Sequence, residues 1–538
     1  EWDLLARLTA LEVLAEVRSL GPPAGGEDPA PALAEARGRR LALDLDAAAR
    51  LDLDLPWQLV LSSRVYGEPR RSGRPATLEG VRAEAVSANV DRLARELATA
   101  ASRTEIETAL AALRPRLTVG VRGSLIDEDS AAAAFGAQPE RLVSAVGEAS
   151  WVLFSEDARA AVEITRLSQA ARELEIDQVE LDLALNASVL LLEVARARAF
   201  EIIDRENLER SYADLAAARS RRAVGAGGRG DVARLEARAA QDTSALALSY
   251  GARRSLEIQL NRLLSRPLGE ELLPVIEGSD QPLEESPRLL ALGDLVRRRG
   301  GSAGLRAELL ERAVGAAPEL AAADRIVAAR ERELEASRRA FLWPALAATG
   351  GVSTRLADGG TGLRPPELPP DLAVGEGFPN TPDTSWNLGL GASLEVFSGG
   401  AKSARRARAE LELESARALR RSAEERVRER VDLALVGLET ALEAAAQARR
   451  AALAAAEAYE VTREGYRQGA VRLTALLDSQ SQLLEARQRA TTAEYGARAR
   501  WLEAQRAAGA FLTPEESDFL LAEARSPAGA APAEEPLP

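Results

Sequence analysis

The chain has 538 residues, with 83 acidic and 69 basic side chains and a formal net charge of −14. That balance speaks against a nucleic-acid binder, which needs a basic surplus to neutralise phosphates. Cys, His and Met are absent, which excludes disulfides, thiolate or imidazole metal sites and any Cys- or His-dependent nucleophile. Hydrophobic residues make up 46% but aromatics only 4%. The apolar content is therefore mostly Ala, Leu and Val, as in long helices packed by small and medium side chains. No apolar run of about 18 residues is present, so no transmembrane helix is expected, and a membrane role would need a β-barrel. The first residues have no charged segment followed by an apolar one, so no secretory signal is read there.

In chain order, residues 2–20 read as a short amphipathic start. Gly21-Pro22-Pro23-Ala24-Gly25-Gly26 separates them from a segment at 39–59. A helical pattern over roughly 77–113 ends at Pro115. From 116 to 125, Leu117, Val119, Val121 and Leu125 then alternate with Arg116, Thr118, Arg122 and Ser124, which is the period of a strand with one apolar face. A partner strand is expected over 143–154. After Phe154-Ser155 a helical pattern runs to about 220, with Ile176, Val179, Leu183, Ala187, Leu190 and Val194 stepping by three and four. A glycine turn around Gly225 follows, and a helix returns to about 264. The Gly-rich turn follows a helix rather than a strand, so it reads as a helix stop and not as a phosphate loop.

The same plan then recurs. A helix over about 305–342 ends at Pro344, a proline that cannot continue it. Leu346, Ala348 and Val352 alternate with Ala347, Thr349 and Ser353. A Gly/Pro-rich loop at 357–383 leads to a strand over 385–397. There Trp386, Leu388, Leu390, Ala392, Leu394 and Val396 alternate with Asn387, Gly389, Gly391, Ser393 and Glu395. A helix over about 401–466, a turn at Gly469, a returning helix to about 511 and an Ala/Pro/Glu tail over 526–538 complete the chain. Each long helix spans roughly 65 residues, about 100 Å at 1.5 Å per residue, too long for a compact domain. The expected division is an N-terminal extension (1–76), a first repeat (77–265), a linker (266–302), a second repeat (303–512) and a tail (513–538).

The order and duplication of these pieces, with Thr77-Leu78-Glu79, Trp151-Val152-Leu153-Phe154-Ser155, Leu394-Glu395-Val396-Phe397-Ser398-Gly399-Gly400 and Tyr466-Arg467-Gln468-Gly469 before Leu476-Leu477-Asp478, resemble the TolC-like outer-membrane efflux family. A weaker resemblance links 39–59 to the C-terminal edge of ABC-type substrate-binding domains, as a possible remnant of a periplasmic domain. The first resemblance implies a mainly α fold whose four strands join those of two other copies in a trimeric β-barrel. It further implies long coiled-coil hairpins forming a periplasmic tunnel. Its function would be the exit duct of a tripartite efflux or type I secretion system, with a periplasmic adaptor, an inner-membrane transporter and outer-membrane lipid as partners, no nucleic acid and no cofactor. A soluble periplasmic coiled-coil adaptor or scaffold is the alternative.

No catalytic constellation stands out, so an enzyme is not expected. Lipid-facing positions would be Trp386, Leu388, Leu390 and Leu394, with Asn387, Ser393 and Glu395 facing the lumen. The hairpin turns are Gly225 and Gly469. By resemblance, Asp231 contacts Tyr466 of a neighbouring coiled coil and helps close the tunnel, and Asp478 is one acid of a constricting ring. The ring's second acid falls on Ala475, so three charges rather than six are implied for a trimer. From the residues alone, Asp231 reads first as a helix N-cap, and a solvated acid is the alternative for Asp478.

Overall fold

The computed structural model describes residues 42–44, 64–66, 73–133, 138–225, 227–276, 301–362 and 382–511. The amphipathic start at 2–20, most of the 39–59 segment, most of the 266–302 linker, the middle of the 357–383 loop and the tail lie outside the described residues. Two short strands, β1 (Ala42–Asp44) and β2 (Arg64–Tyr66), pair in parallel near the N-terminus.

The chain folds as two compact units. One comprises Asp91–Glu180 and Arg312–Arg430, and the other Glu1–Val90, Leu181–Glu311 and Val431–Pro538. The first holds an antiparallel sheet of β4 (Arg116–Leu125), β5 (Arg141–Phe154), β7 (Ala345–Gly359) and β8 (Thr384–Ser393), in the order β4-β5-β7-β8. Residues paired across a ladder share a face, so the register assigns the faces directly. The row Leu117, Ala149, Gly350, Leu388 and the row Val119, Gly147, Val352, Trp386 lie on one face. Trp151, Ala348 and Leu390 form a third row on it. The opposite face carries Thr118, Glu148, Gly351 and Asn387 in one row and Ser150, Thr349 and Gly389 in the next. Over these rows one face is therefore apolar and the other small and polar, as the alternation predicted; one row further on, Thr354 and Thr384 pair on the first face and Val146 lies on the second. Trp386, Leu388 and Leu390 are 78%, 81% and 79% exposed.

Leu394 departs from its expected place. The last β7–β8 pair is Ala345 with Ser393. The residue that would face Leu394 is Pro344, which has no N–H to continue the ladder, so Leu394 and Glu395 lie past the strand.

The helices of the first repeat are α1 (Leu78–Ala88), α2 (Val90–Ala111), α3 (Glu128–Ala133), α4 (Glu156–Ala223) and α5 (Arg229–Leu263). Those of the second are α6 (Gly301–Ala316), α7 (Pro318–Arg339), α8 (Ala401–Arg467) and α9 (Leu473–Ala507). Each long helix is preceded by a serine that follows a phenylalanine, Ser155 after Phe154 at the end of β5 and Ser398 after Phe397 beyond the end of β8. Ser155 Oγ accepts from Ala158 N at 3.3 Å and Ser398 Oγ from Lys402 N at 3.2 Å. These bonds satisfy first-turn amides that have no partner within the helix.

Both helices expected as continuous at 77–113 and 305–342 are broken, at corresponding places. Ala317 turns extended because Pro318 follows it. Asn89 turns extended, is buried, and donates from Nδ2 to the Leu263 carbonyl at 2.9 Å, near the C-terminal end of α5 where carbonyls lack helical partners. A second feature went unread. β3 (Arg74–Thr77) pairs in parallel with β6 (Leu272–Val275), strands too short to show a period.

In the unit that holds β4, β5, β7 and β8, α2 runs beside α4 and α7 beside α8, an arrangement shared by the two repeats. Ser102 Oγ donates to Gln169 Oε1 at 2.6 Å, and Arg92 meets Glu180 at 2.7 Å. Arg417 meets Glu331 and Arg420 meets Asp324, each at 3.0 Å. Such half-exposed pairs are each worth about 0–1 kcal/mol, so Leu334, Ala409 and Leu413 hold the α7–α8 seam. In the other unit, Val81, Ala85, Ala187, Leu191, Leu260, Leu264 and Leu272 bind α1, α4, α5 and β6 into one core.

Asn89→Ala should cost about 1–3 kcal/mol, because it strands a part-buried helix-end carbonyl. A thermal or denaturant melt measures it, and an unchanged midpoint would show that the break at 89 needs no such bond.

Candidate functional site

The two hairpin ends meet in one cluster. Gly225 (φ +75°) and Gly469 (φ +79°) hold left-handed conformations open to glycine at little cost. Gly225 N bonds to the Arg222 carbonyl at 3.0 Å and Gly469 N to the Tyr466 carbonyl at 3.1 Å, closing the ends of α4 and α8. Below the turns, Leu215, Ala218, Val232, Leu235, Tyr459, Tyr466, Leu473 and Leu476 from all four helices form a buried core. Tyr466 and the helix ends on either side of both turns thus share one core.

Tyr466 is buried, and its ring lies under the Arg221 guanidinium at 4.2 Å. Arg221 Nη1 also donates to the Tyr466 carbonyl at 3.3 Å. Arg221, on the other hairpin, therefore takes the position against Tyr466 that Asp231 was expected to hold. Burial pushes the Tyr466 hydroxyl pKa up; Arg221 opposes this and the Asp231 charge adds to it. Asp231 is close enough to be felt, but among the described residues no hydrogen bond joins it to Tyr466 within the chain. Nor is Asp231 the helix cap. Gly228 holds that position without a side-chain bond, and Asp231 sits in the first turn of α5, where a negative charge is favoured by the helix dipole. Asp478 is exposed on α9 with Thr474 and Ala475, while Leu473 and Leu476 turn inward.

Sequence reading missed Asp214, Tyr459 and Arg221. Tyr459 is wholly buried, and its hydroxyl has no partner; neither has Asp214 Oδ2. Burial raises the Asp214 carboxyl pKa, against the lowering pull of Arg463, Arg467 and Arg221 and with Glu460 adding to the rise. A signal existed. Asp214 and Arg221 are seven residues apart, as are Tyr459 and Tyr466, so each pair shares a helix face.

A polar layer next to this core joins the hairpins. Gln480 Nε2 donates to Asn207 Oδ1 at 3.0 Å and to Ser211 Oγ at 2.8 Å, and Ser211 Oγ donates to Asp242 at 2.5 Å. Arg238 bridges Asp242 and Ser481 at 3.1 and 2.9 Å. Among the described residues no helix is long and apolar enough to cross a membrane.

Residues 309–510 match the family described as outer membrane efflux protein. Among curated protein sequences, none matches. Solved structures share the fold. CusC, crystallised in a study of its folding and transmembrane channel formation, is 18% identical, with a TM-score of 0.62 over 81% of this chain and 92% of its own. The CmeC outer membrane channel of Campylobacter jejuni is 16% identical, with a TM-score of 0.61 over 83% and 89%. The open MtrE outer membrane channel of Neisseria gonorrhoeae is 18% identical, with a TM-score of 0.59 over 80% and 89%.

The raised Asp214 carboxyl has a consequence for stability. A carboxyl whose folded pKa lies above its unfolded value contributes stability fully present below the ordinary value of 3.8, and lost as pH rises through the raised folded value. Asp214→Asn should therefore melt higher than the parent near neutral pH, with the difference shrinking as pH falls. A constant difference would remove burial as the cause. Tyr459→Phe deletes the orphan hydroxyl and should leave the melting temperature equal or higher, because an unsatisfied buried group costs about 1–3 kcal/mol.

Proposed function

From the match of residues 309–510 to the outer membrane efflux protein family, we propose that the chain is a member of that family and a homotrimeric channel-tunnel of the bacterial outer membrane. It serves as the exit duct of a tripartite efflux or type I secretion system. The observation that carries this reading is the sheet β4-β5-β7-β8, with one continuous apolar face and outer edges on β4 and β8 that find no partner among the described residues. In lipid, unpaired N–H and C=O groups cost several kcal/mol each, so a spanning sheet closes on itself. Four strands are too few to close; three copies give twelve, with no edge left. Helices of 68 and 67 residues, about 100 Å each, would continue the barrel as a periplasmic tunnel. The two repeats, 77–265 and 303–512, would each give two strands and one hairpin. A duct of this kind holds no energy source, so a periplasmic adaptor and an inner-membrane transporter deliver the cargo.

The hairpin ends are the gate in this reading. Three copies of Asp478 approach one axis, where like charges in a narrow passage repel one another and attract cations. The contact of Tyr466 with Arg221 inside the chain, and a bond of its hydroxyl to Asp231 in a helix pair of a neighbouring copy, resist that repulsion. A charged hydrogen bond of this kind is worth roughly 1.5–3 kcal/mol, and a partner that binds the open tip reverses the balance.

Two measurements follow. In planar bilayers, Tyr466→Phe and Asp231→Ala should each raise single-channel conductance, and Asp478→Ala should reduce cation preference. No change in all three would refute the gate. Leu390→Arg, with its charge on the lipid face, should lower barrel stability by roughly 2–4 kcal/mol; refolding into vesicles as well as the parent would show that this face does not meet lipid.

A further inference from the structure

At one end of the sheet the chain passes from strand to helix, and there it exposes apolar side chains that the fold does not need. The turn leading from α7 to β7 presents Phe341, Leu342 and Trp343, at 45%, 76% and 55% exposure. Trp151 is also exposed. Phe154 pairs with Leu346, whose other partner is Ala392, so it belongs to the apolar face. The rings of Phe154 and Trp343 stand 5.5 Å apart, tilted by 41°.

This patch carries a cation on either flank. The exposed Arg159 guanidinium lies over the Phe154 ring at 4.7 Å. Lys402 Nζ, from the only lysine in the chain, lies 5.8 Å from the Phe341 ring centre. It donates to the Ala340 carbonyl at 2.9 Å and to the Glu395 carbonyl. The neighbouring acids are already engaged by other arginines. Glu156 meets Arg332 at 2.9 Å and Arg339 at 3.3 Å, and Asp157 meets Arg405 at 3.4 Å. Among the described residues neither Arg159 nor Lys402 has a carboxylate partner. Lys402 spends two of its three donors on carbonyls, which cancel no charge, and the third is open.

We propose that the Ala340–Trp343 turn, with Arg159 and Lys402, binds the headgroup phosphate of an anionic phospholipid in the leaflet on the helix side of the barrel. This rests on the barrel reading above. Tryptophan and phenylalanine at a sheet's end fit the band between acyl chains and headgroups. The two cations beside them meet phosphate at that depth, where each basic side chain adds about 1 kcal/mol, close to fivefold in binding. A zwitterionic headgroup offers the same phosphate next to a choline cation that opposes Arg159 and Lys402, so the site discriminates by net charge.

The test reconstitutes the full chain into nanodiscs of phosphatidylcholine with or without phosphatidylglycerol, then counts by native mass spectrometry the lipids retained on release into detergent. The parent should keep phosphatidylglycerol in preference to phosphatidylcholine. Arg159→Gln and Lys402→Gln should each lower that preference about fivefold, and Lys402→Arg, which keeps the charge, should retain it. Arg405→Gln, whose charge Asp157 already balances, should change nothing. Insertion without lipid preference, or a double Gln variant that keeps the parent's preference, would overturn the inference alone. Failure to enter either bilayer would overturn the barrel reading and this site with it.

Discussion

Two open edges govern this structure. β4 and β8 bound a four-stranded sheet whose apolar face, from Leu117 to Leu390, is exposed in the single chain. A hydrophobic sheet face that is both bare and open-edged is an aggregation hazard in water and an unsatisfied backbone in lipid. In the proposed reading one remedy meets both problems, which is closure by further copies within an apolar solvent. The shape of the strands fits that remedy. Gly147, Gly350 and Gly389 thin both faces near the middle of the sheet, and the polar face pairs Arg122 with Glu148 at 3.7 Å, a charge arrangement suited to a wet interior.

The helices are held by a different balance. Their cores are narrow and built from Ala and Leu, so buried area is modest along each turn. Between the hairpins, polar layers fix which residue meets which. Gln480 with Asn207 and Ser211 is one layer, and Asp204 with Ser249 and Gln488 is another, its carboxyl pKa raised by burial. A slip of one residue would bury these groups without partners, at a cost larger than that of an apolar mismatch. At the hairpin ends the satisfaction is incomplete. Asp214 and Tyr459 keep unpartnered oxygens next to Arg221 and Tyr466, and buried polar groups left under-satisfied give up stability.

Much of this was legible in the residues. The alternation at 116–125 and 385–393, the serines after Phe154 and Phe397, the left-handed glycines and the near-equal long helices each have a local cause, and local causes survive into the fold. Apart from the break at Ala317, whose cause is the adjacent Pro318, what escaped depended on partners distant in sequence. The end of β8 was misplaced because Pro344 lies about fifty residues from Leu394, and the missing N–H matters only once the two strands pair. The break at Asn89 depends on a carbonyl at Leu263, and the β3–β6 pair joins segments nearly two hundred residues apart. The tip was legible as a place and not as a contact set. Gly225, Gly469 and Tyr466 stood out, whereas Arg221 looked like one more basic residue at a helix end until the fold put it on the Tyr466 ring.

The absence of cysteine allows the central claim to be measured against a clean background. One cysteine placed on β4 at Thr118 would be combined in turn with one on β8 at Ser385, Asn387 or Gly389, all on the polar face, and each double variant oxidised in the membrane. If β4 of one copy pairs with β8 of the next, at least one combination will give covalent trimers that vanish on reduction. If every combination runs as a monomer, the edges do not meet between copies, and the sheet is not part of a closed barrel.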